Sequence, residues 1–136
     1  MSLSNTFWVG ATGTLAQSQR LNTISSNIAN AEAHVDADGT PYRARQVVFR
    51  LQPIAPESPA AGVQVAEVVE SAAPFKKAYR PGHPHADESG FVTLPNVDVI
   101  EEMVNMVAAS RSFQMNVEVM SNSRQLMMRL LEVGRG

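Results

Sequence analysis

The side chains in this 136-residue chain that could gather around a metal are three histidines and a scatter of carboxylates. His83-Pro84-His85, followed by Asp87 and Glu88, is the densest cluster. Zinc and iron sites take three or four ligands that converge on one point. Here every candidate lies in one short loop, and spacing marks no distant histidine or carboxylate to complete the set. The expectation is a turn with solvated side chains. His34, Asp36, Asp38 and Gly39 resemble half of a calcium loop, but the bidentate glutamate that would close it is missing. Glu101 and Glu102 suggest an acid pair, yet neighbours on a helix point about 100° apart and do not share a face. The sequence has no GxSxG, P-loop or GxGxxG pattern, and no serine carries a nucleophile motif. These residues point away from catalysis and imply no metal or cofactor.

Composition narrows the classes further. A chain of this length has core enough for one fold but not two. A net charge of −2 gives no nucleic-acid footprint and no polybasic membrane patch. No run of 18 apolar residues is present, so no membrane insertion is expected. The start, MSLSNTFWVGATGTLAQ, has neither the basic region nor the continuous apolar stretch of a cleavable signal. With no cysteines, disulfides and thiolate metal sites are excluded. Two compartments stay open: the cytosol, or a destination reached by an export route that cleaves no signal.

The elements that must position these residues are two amphipathic helical patterns, 2–31 and 97–133. All eight prolines lie between them, from Pro41 to Pro95. In the first, Leu3, Phe7, Gly10, Thr14, Gln17, Leu21, Ile24, Ile28 and Ala31 form a stripe at helical spacing. Its early half is weak, because Gly10 and Gly13 each cost about 1 kcal/mol relative to alanine in a helix interior. Arg20 is the one charged side chain between residues 1 and 31. A helix this polar and uncharged is not expected to stand alone; packing must supply its stability. It suits close contact with copies of itself, since stacked subunits bring no like charges together.

In the second pattern, Val99, Met103, Met106, Ser110, Phe113, Val117, Met120, Arg124, Met127 and Leu131 alternate in steps of four and three. That spacing is a heptad seam. Asn96 and Asp98 are candidate caps, and Glu101 follows Asp98 at capping-box distance. A helix over 98–133 would be about 54 Å long, more than a small globule needs. Met103, Met106, Met115, Met120 and Met127 make its surface adaptable to unlike neighbours. Between the helices, 42–51 and 63–70 read as two β-branched strands joined by a Pro-rich loop, a small antiparallel hairpin. Residues 71–96, with four prolines and two glycines, are expected to run extended.

The fold expected is therefore mainly α with a small β element. Long N- and C-terminal helices pack as an antiparallel coiled coil, with a middle β-hairpin and a long extended Pro-rich stretch. The terminal helical unit comprises 1–31 plus 97–136, and the middle comprises 32–96. The expected assembly interface is Leu21, Ile24, Ile28, Ala31, Val99, Met103, Met106, Phe113, Val117, Met120, Met127 and Leu131.

Three stretches carry a resemblance. SQRLNTISSNIANA, from Ser18 to Ala31 and including Asn22, Asn27 and Asn30, resembles the N-terminal signature of bacterial flagellar rod and hook proteins. VEVMSNSRQLMMRLLEVG, from Val117 to Gly134, resembles their C-terminal helix. The run over 79–119, with Gly82, His83, Pro84, Gly90, Pro95 and Asn96, is similar to the proximal rod subunits of the basal body. The chain departs from the family at 32–38, EAHVDAD, where relatives tend to be Thr-rich.

The resemblance implies export in an unfolded state through the flagellar type III apparatus. It implies terminal helices forming the inner layer of a helical tube, and a rod crossing the periplasm as a drive shaft. Implied partners are copies of the chain, other rod subunits, the rod base adaptor and the export apparatus. Another short rod subunit is an alternative within the family. Outside it, the alternative is a soluble helical module binding one partner, such as an export chaperone. Such a module should have a charged, well-formed first helix, and this chain does not.

Overall fold

The computed structural model describes residues 2–33 and 39–136. His34, Asp36 and Asp38, the sequence's half calcium loop, lie outside them. The element order is α1 (Leu3–Ala29), β1 (Arg45–Pro53), β2 (Ala61–Glu70), β3 (Lys76–Tyr79), β4 (Phe91–Leu94) and α2 (Val99–Arg135). The two terminal helices and the small β element are thus present within a few residues of their expected ends. Ala31 falls in the turn beyond α1.

Helix α1 runs unbroken through both glycines. Ser2 caps it, its hydroxyl accepting from the Asn5 N–H at 3.1 Å. At the other end Asn30 donates its side-chain amide to the Ser26 carbonyl at 2.8 Å. Helix α2 begins at the Asp98 cap, whose carboxylate accepts from the N–H groups of Ile100 and Glu101 at 3.1 and 3.2 Å. Glu101 and Glu102 then sit in its first turn, where the positive end of the helix dipole favours them. Asn96 caps nothing here. Its side chain instead accepts from the Ala44 N–H at 2.7 Å and donates to the Ala73 carbonyl at 2.9 Å, fastening three stretches of the middle together.

Strands β1 and β2 pair antiparallel from Arg45↔Glu70 to Pro53↔Ala61, with an irregularity between Val48 and Phe49. A two-stranded hairpin is marginal in water unless something covers one face. Here α1 covers it. The Val63 N–H donates to Thr12 Oγ1 at 3.2 Å. At Gly62 a Cβ would run into Thr12 and Trp8, so the strand lies directly on the helix.

The Pro-rich stretch 71–96 is not simply extended. It folds into a second antiparallel hairpin, Lys76↔Leu94 to Tyr79↔Phe91, separate from the first. The prolines permit this because Pro74, Pro81, Pro84 and Pro95 all fall outside β3 and β4, where no ladder N–H is needed. Gly90 supplies the left-handed turn residue, with φ +83°. The rings of Tyr79 and Phe91 then meet edge to face with centroids 5.3 Å apart.

The buried apolar residues are mostly small: Ala16, Ala44, Ala60, Ala109, Val92 and Val97, with Ile24 the largest. Many large apolar side chains stay on the surface, most of them on α2. The subunit is stitched together by close backbone approach and hydrogen bonds more than by a wide oily core.

Candidate assembly interface

The contact between α1 and α2 is built on small residues. A Cβ on Gly10 would stand 2.9 Å from Met120 Cγ and 3.1 Å from the Asn116 carbonyl oxygen. One on Gly13 would stand 2.7–2.8 Å from the Asn116 side-chain amide. The hydroxyl of Thr14 lies 3.6 Å from the Met120 sulfur. Near the other end of α1, Asn27 donates to the Glu102 carboxylate at 3.1 Å. Early residues of α1 therefore lie against late residues of α2, and late against early.

These contacts fix which face of α2 meets α1, and it is not quite the face drawn from hydrophobicity. Of the residues on the expected seam, Met106, Phe113, Met120 and Met127 are half-buried. Its other members, Met103, Val117, Arg124 and Leu131, are exposed, while Ser110 is half-buried. Ala109 and Ser123, each one residue before an expected position, are buried at 0% and 3% exposure. The covered seam thus alternates Glu102, Ala109, Asn116 and Ser123 with the methionines and Phe113. Seven-residue spacing of small or polar side chains at 102, 109, 116 and 123 was visible in the sequence. It carries no hydrophobic signal, and only the partner's glycines give it meaning.

On α1, Ile24 is buried, Leu21 and Ile28 are half-buried, and Gly13 and Ala16 are buried beside the expected stripe. Val99 is half-buried at the start of α2.

Asn27 is the polar centre of the subunit, 1% exposed. Its amide donates to the Arg45 carbonyl at 2.8 Å and to Glu102. Its carbonyl accepts from the Tyr42 hydroxyl and the Arg45 N–H, both at 2.9 Å. All four hydrogen-bonding positions of this side chain are filled, which is what a buried amide requires. One residue so joins α1, the start of β1 and the first turn of α2. The other motif positions divide. Asn22 is exposed, and Asn30 caps α1. Pro95 is fully buried, Asn96 ties the middle together, and Gly90 makes its turn. Gly82 and Pro84 are exposed in the β3–β4 loop.

In that loop the rings of His83 and His85 lie 5.7 Å apart, and His83 Nδ1 accepts from the His85 N–H at 3.2 Å. Among the described residues, no three His, Asp or Glu side chains are grouped to hold a metal ion. No described helix is long and apolar enough to cross a membrane.

Comparison with known proteins places this architecture. Residues 8–32 match the family described as flagella basal body rod protein, and residues 88–133 match the flagellar basal body rod FlgEFG protein C-terminal family. The chain is 50% identical over 135 residues to the flagellar basal-body rod protein FlgC of Escherichia coli, covering 99% of this chain and 100% of the relative. This chain belongs to the flagellar basal-body rod protein family. The rod protein FlgC of Salmonella typhimurium is 48% identical over the same length. That of Borreliella burgdorferi is 34% identical over a 152-residue alignment, covering all of both chains. The two matched segments of this rod protein take in most of α1 and most of α2, the second with β4 ahead of it, and the helices meet at the close contact of Gly13 with Asn116.

Proposed function

We propose that this chain is a structural subunit of the proximal flagellar rod, acting by assembly and performing no catalysis. The observation that carries the reading is full-length similarity to rod proteins, 50% identity with 99% of this chain and 100% of the relative covered. The physical character of the subunit agrees with it. Its two ends pack through small residues, while large apolar side chains on α2 face outward. Such a surface suits a chain whose stable state is an assembly.

In this reading the ends, 1–31 plus 97–136, form an antiparallel coiled coil in the inner layer of a tube, and 32–96 makes the outer contacts. Tight helix packing gives a stiff layer in which torsional load is shared among many side chains. Head-to-tail contacts that do not close on themselves extend such a layer into a helix. Leu21, Ile24, Ile28 and Ala31 of the first end, with Val99, Met106, Phe113, Met120 and Met127 of the second, serve the pairing of the ends. Met103, Val117 and Leu131 are free for neighbouring subunits. The partners are copies of the chain, other rod subunits and the rod base adaptor, reached after unfolded passage through the type III export apparatus. Chains whose ends order on assembly pass a narrow channel more readily and do not polymerise early.

Deleting the gene tests the reading. The deletion strain is expected to lack hooks and not to swim, and the gene restored on a plasmid is expected to recover both. A deletion strain that swims with complete hooks sinks the proposal.

A further inference from the structure

Helix α1 is gripped from two sides. Gly10 and Gly13 lie against Met120 and Asn116 of α2. Trp8 and Thr12, about 150° round the helix from those glycines, lie against Gly62 of β2. Among the described residues, no Cα of α2 comes within 8 Å of a strand Cα. Within one subunit, then, the first hairpin packs on the helical pair through α1.

That hairpin is fastened to α1 at two places. At its open end, Asn27 accepts from the Arg45 N–H at 2.9 Å and donates to the Arg45 carbonyl at 2.8 Å. Toward its loop, the Val63 N–H donates to Thr12 Oγ1 at 3.2 Å, and the same hydroxyl donates to the Val9 carbonyl at 2.9 Å. Accepting from the strand and donating to its own helix leaves the hydroxyl one orientation. The spacings agree. Thr12 and Asn27 stand about 22 Å apart along α1. Arg45 and Gln52, the ladder partner of Gly62, stand about 23 Å apart along β1. Between the two places the surfaces do not fully close. A cleft of about 310 Å³ lies beside Leu15, Gln19, Gln64 and Val65, and one of about 430 Å³ beside Arg20, Thr23, Gln46 and Phe49.

We infer that Thr12 is a positioning residue of the rod. With Gly62 it forms the second of two pins, and it stops β1 and β2 swivelling about Asn27 when load passes between the terminal helices and the middle. This rests on the rod reading above and adds the route that load takes inside one subunit. A single pin leaves a hinge, whereas two pins set this far apart make hairpin and helix turn together. Gly62 belongs to the pin because it carries no Cβ. One built there would stand 2.7 Å from Trp8 Cζ3 and closer still to Thr12 Oγ1, so any side chain lifts the strand off the helix.

Three variants, each in place of the native chain in the deletion strain, test the inference. Thr12→Val keeps the branched shape and removes both hydrogen bonds. Thr12→Ser keeps the hydroxyl. Gly62→Ala wedges the strand outward. Hooks are counted in thin medium, and the cells are then driven in medium thickened with a polymer. Thr12→Val and Gly62→Ala are expected to build hooks in native numbers, yet to shed hook-bearing rod fragments at least threefold faster than the native strain in the thick medium. Thr12→Ser is expected to shed at the native rate, and paralysing the motor is expected to abolish the excess. Shedding at the native rate by Thr12→Val and Gly62→Ala overturns the inference. A contact that serves folding alone would lower hook number in both media alike, and that result, or the absence of rods in both strains, also overturns it. A deletion strain that swims with no subunit at all overturns the rod reading itself.

Discussion

Asn27 and Glu102 are joined by a 3.1 Å hydrogen bond that ties the last turns of α1 to the first turn of α2 across 75 residues of chain. Around it the other three hydrogen-bonding positions of Asn27 are filled by Tyr42 and the Arg45 backbone. This is where both ends and the middle of the subunit meet.

Asn27→Asp removes both amide donors and sets a second carboxylate against Glu102. Each buried group left without its partner costs about 1–3 kcal/mol, and like charges add to that. The expected outcome is loss of swimming on soft agar and loss of the subunit from isolated basal bodies. Glu102→Gln keeps an acceptor for Asn27 and is expected to swim. Normal swimming of the Asn27→Asp strain would remove Asn27 from the centre of the fold.

Gly13 and Asn116 set how closely the helices approach. Gly13→Val drives two methyl groups into the Asn116 amide and is expected to block rod formation, by overpacking of about 1–3 kcal/mol. Trimming the neighbour, Asn116→Ala, in the same chain is expected to restore part of the swimming rate. Absence of any rescue would mean that another contact of residue 13 limits assembly.

The corrected seam is tested by a pair of adjacent substitutions. Ala109 is fully enclosed on the covered face of α2, whereas Ser110 beside it is only half-buried. Ala109→Leu is expected to reduce incorporation into basal bodies at least tenfold. The neighbouring Ala108→Leu, on the exposed side, is expected not to loosen the α1–α2 contact. Amide exchange in α1, followed within isolated basal bodies that carry each variant, separates the cases. Equal exchange would return the seam to its hydrophobic register.

Amide hydrogen exchange on the purified subunit at low concentration tests the coupling of folding to assembly. Rapid exchange is expected across 2–31 and 99–135, with protection in β1 and β2. Helix α1 carries two interior glycines and one charge, so it draws its stability from neighbours. Strong protection of both ends in the monomer would instead favour a self-contained helical module.

The chain's linear pattern determined a good deal. Confinement of the prolines to 41–95 left two long helical ends and a helix-free middle, and the β-branched runs around Val47 and Val65 marked the first hairpin. The asparagine-rich run ending at Ala31 marked the family. Local pattern carries this much because prolines, caps and periodicity act within a few residues of chain. The second hairpin escaped it. Its four-residue strands are too short to signal themselves, and their pairing depends on the left-handed turn at Gly90 and the meeting of Tyr79 with Phe91.

The register of α2 escaped it too. Hydrophobicity marks Met103, Val117 and Leu131 as faces that need cover, but it does not say whose. Only tertiary contact decided that the glycines of α1 take the small seam at Ala109, Asn116 and Ser123, because backbones approach closely where neither helix presents a bulky side chain. The larger apolar residues were thereby left outside, for other chains to meet.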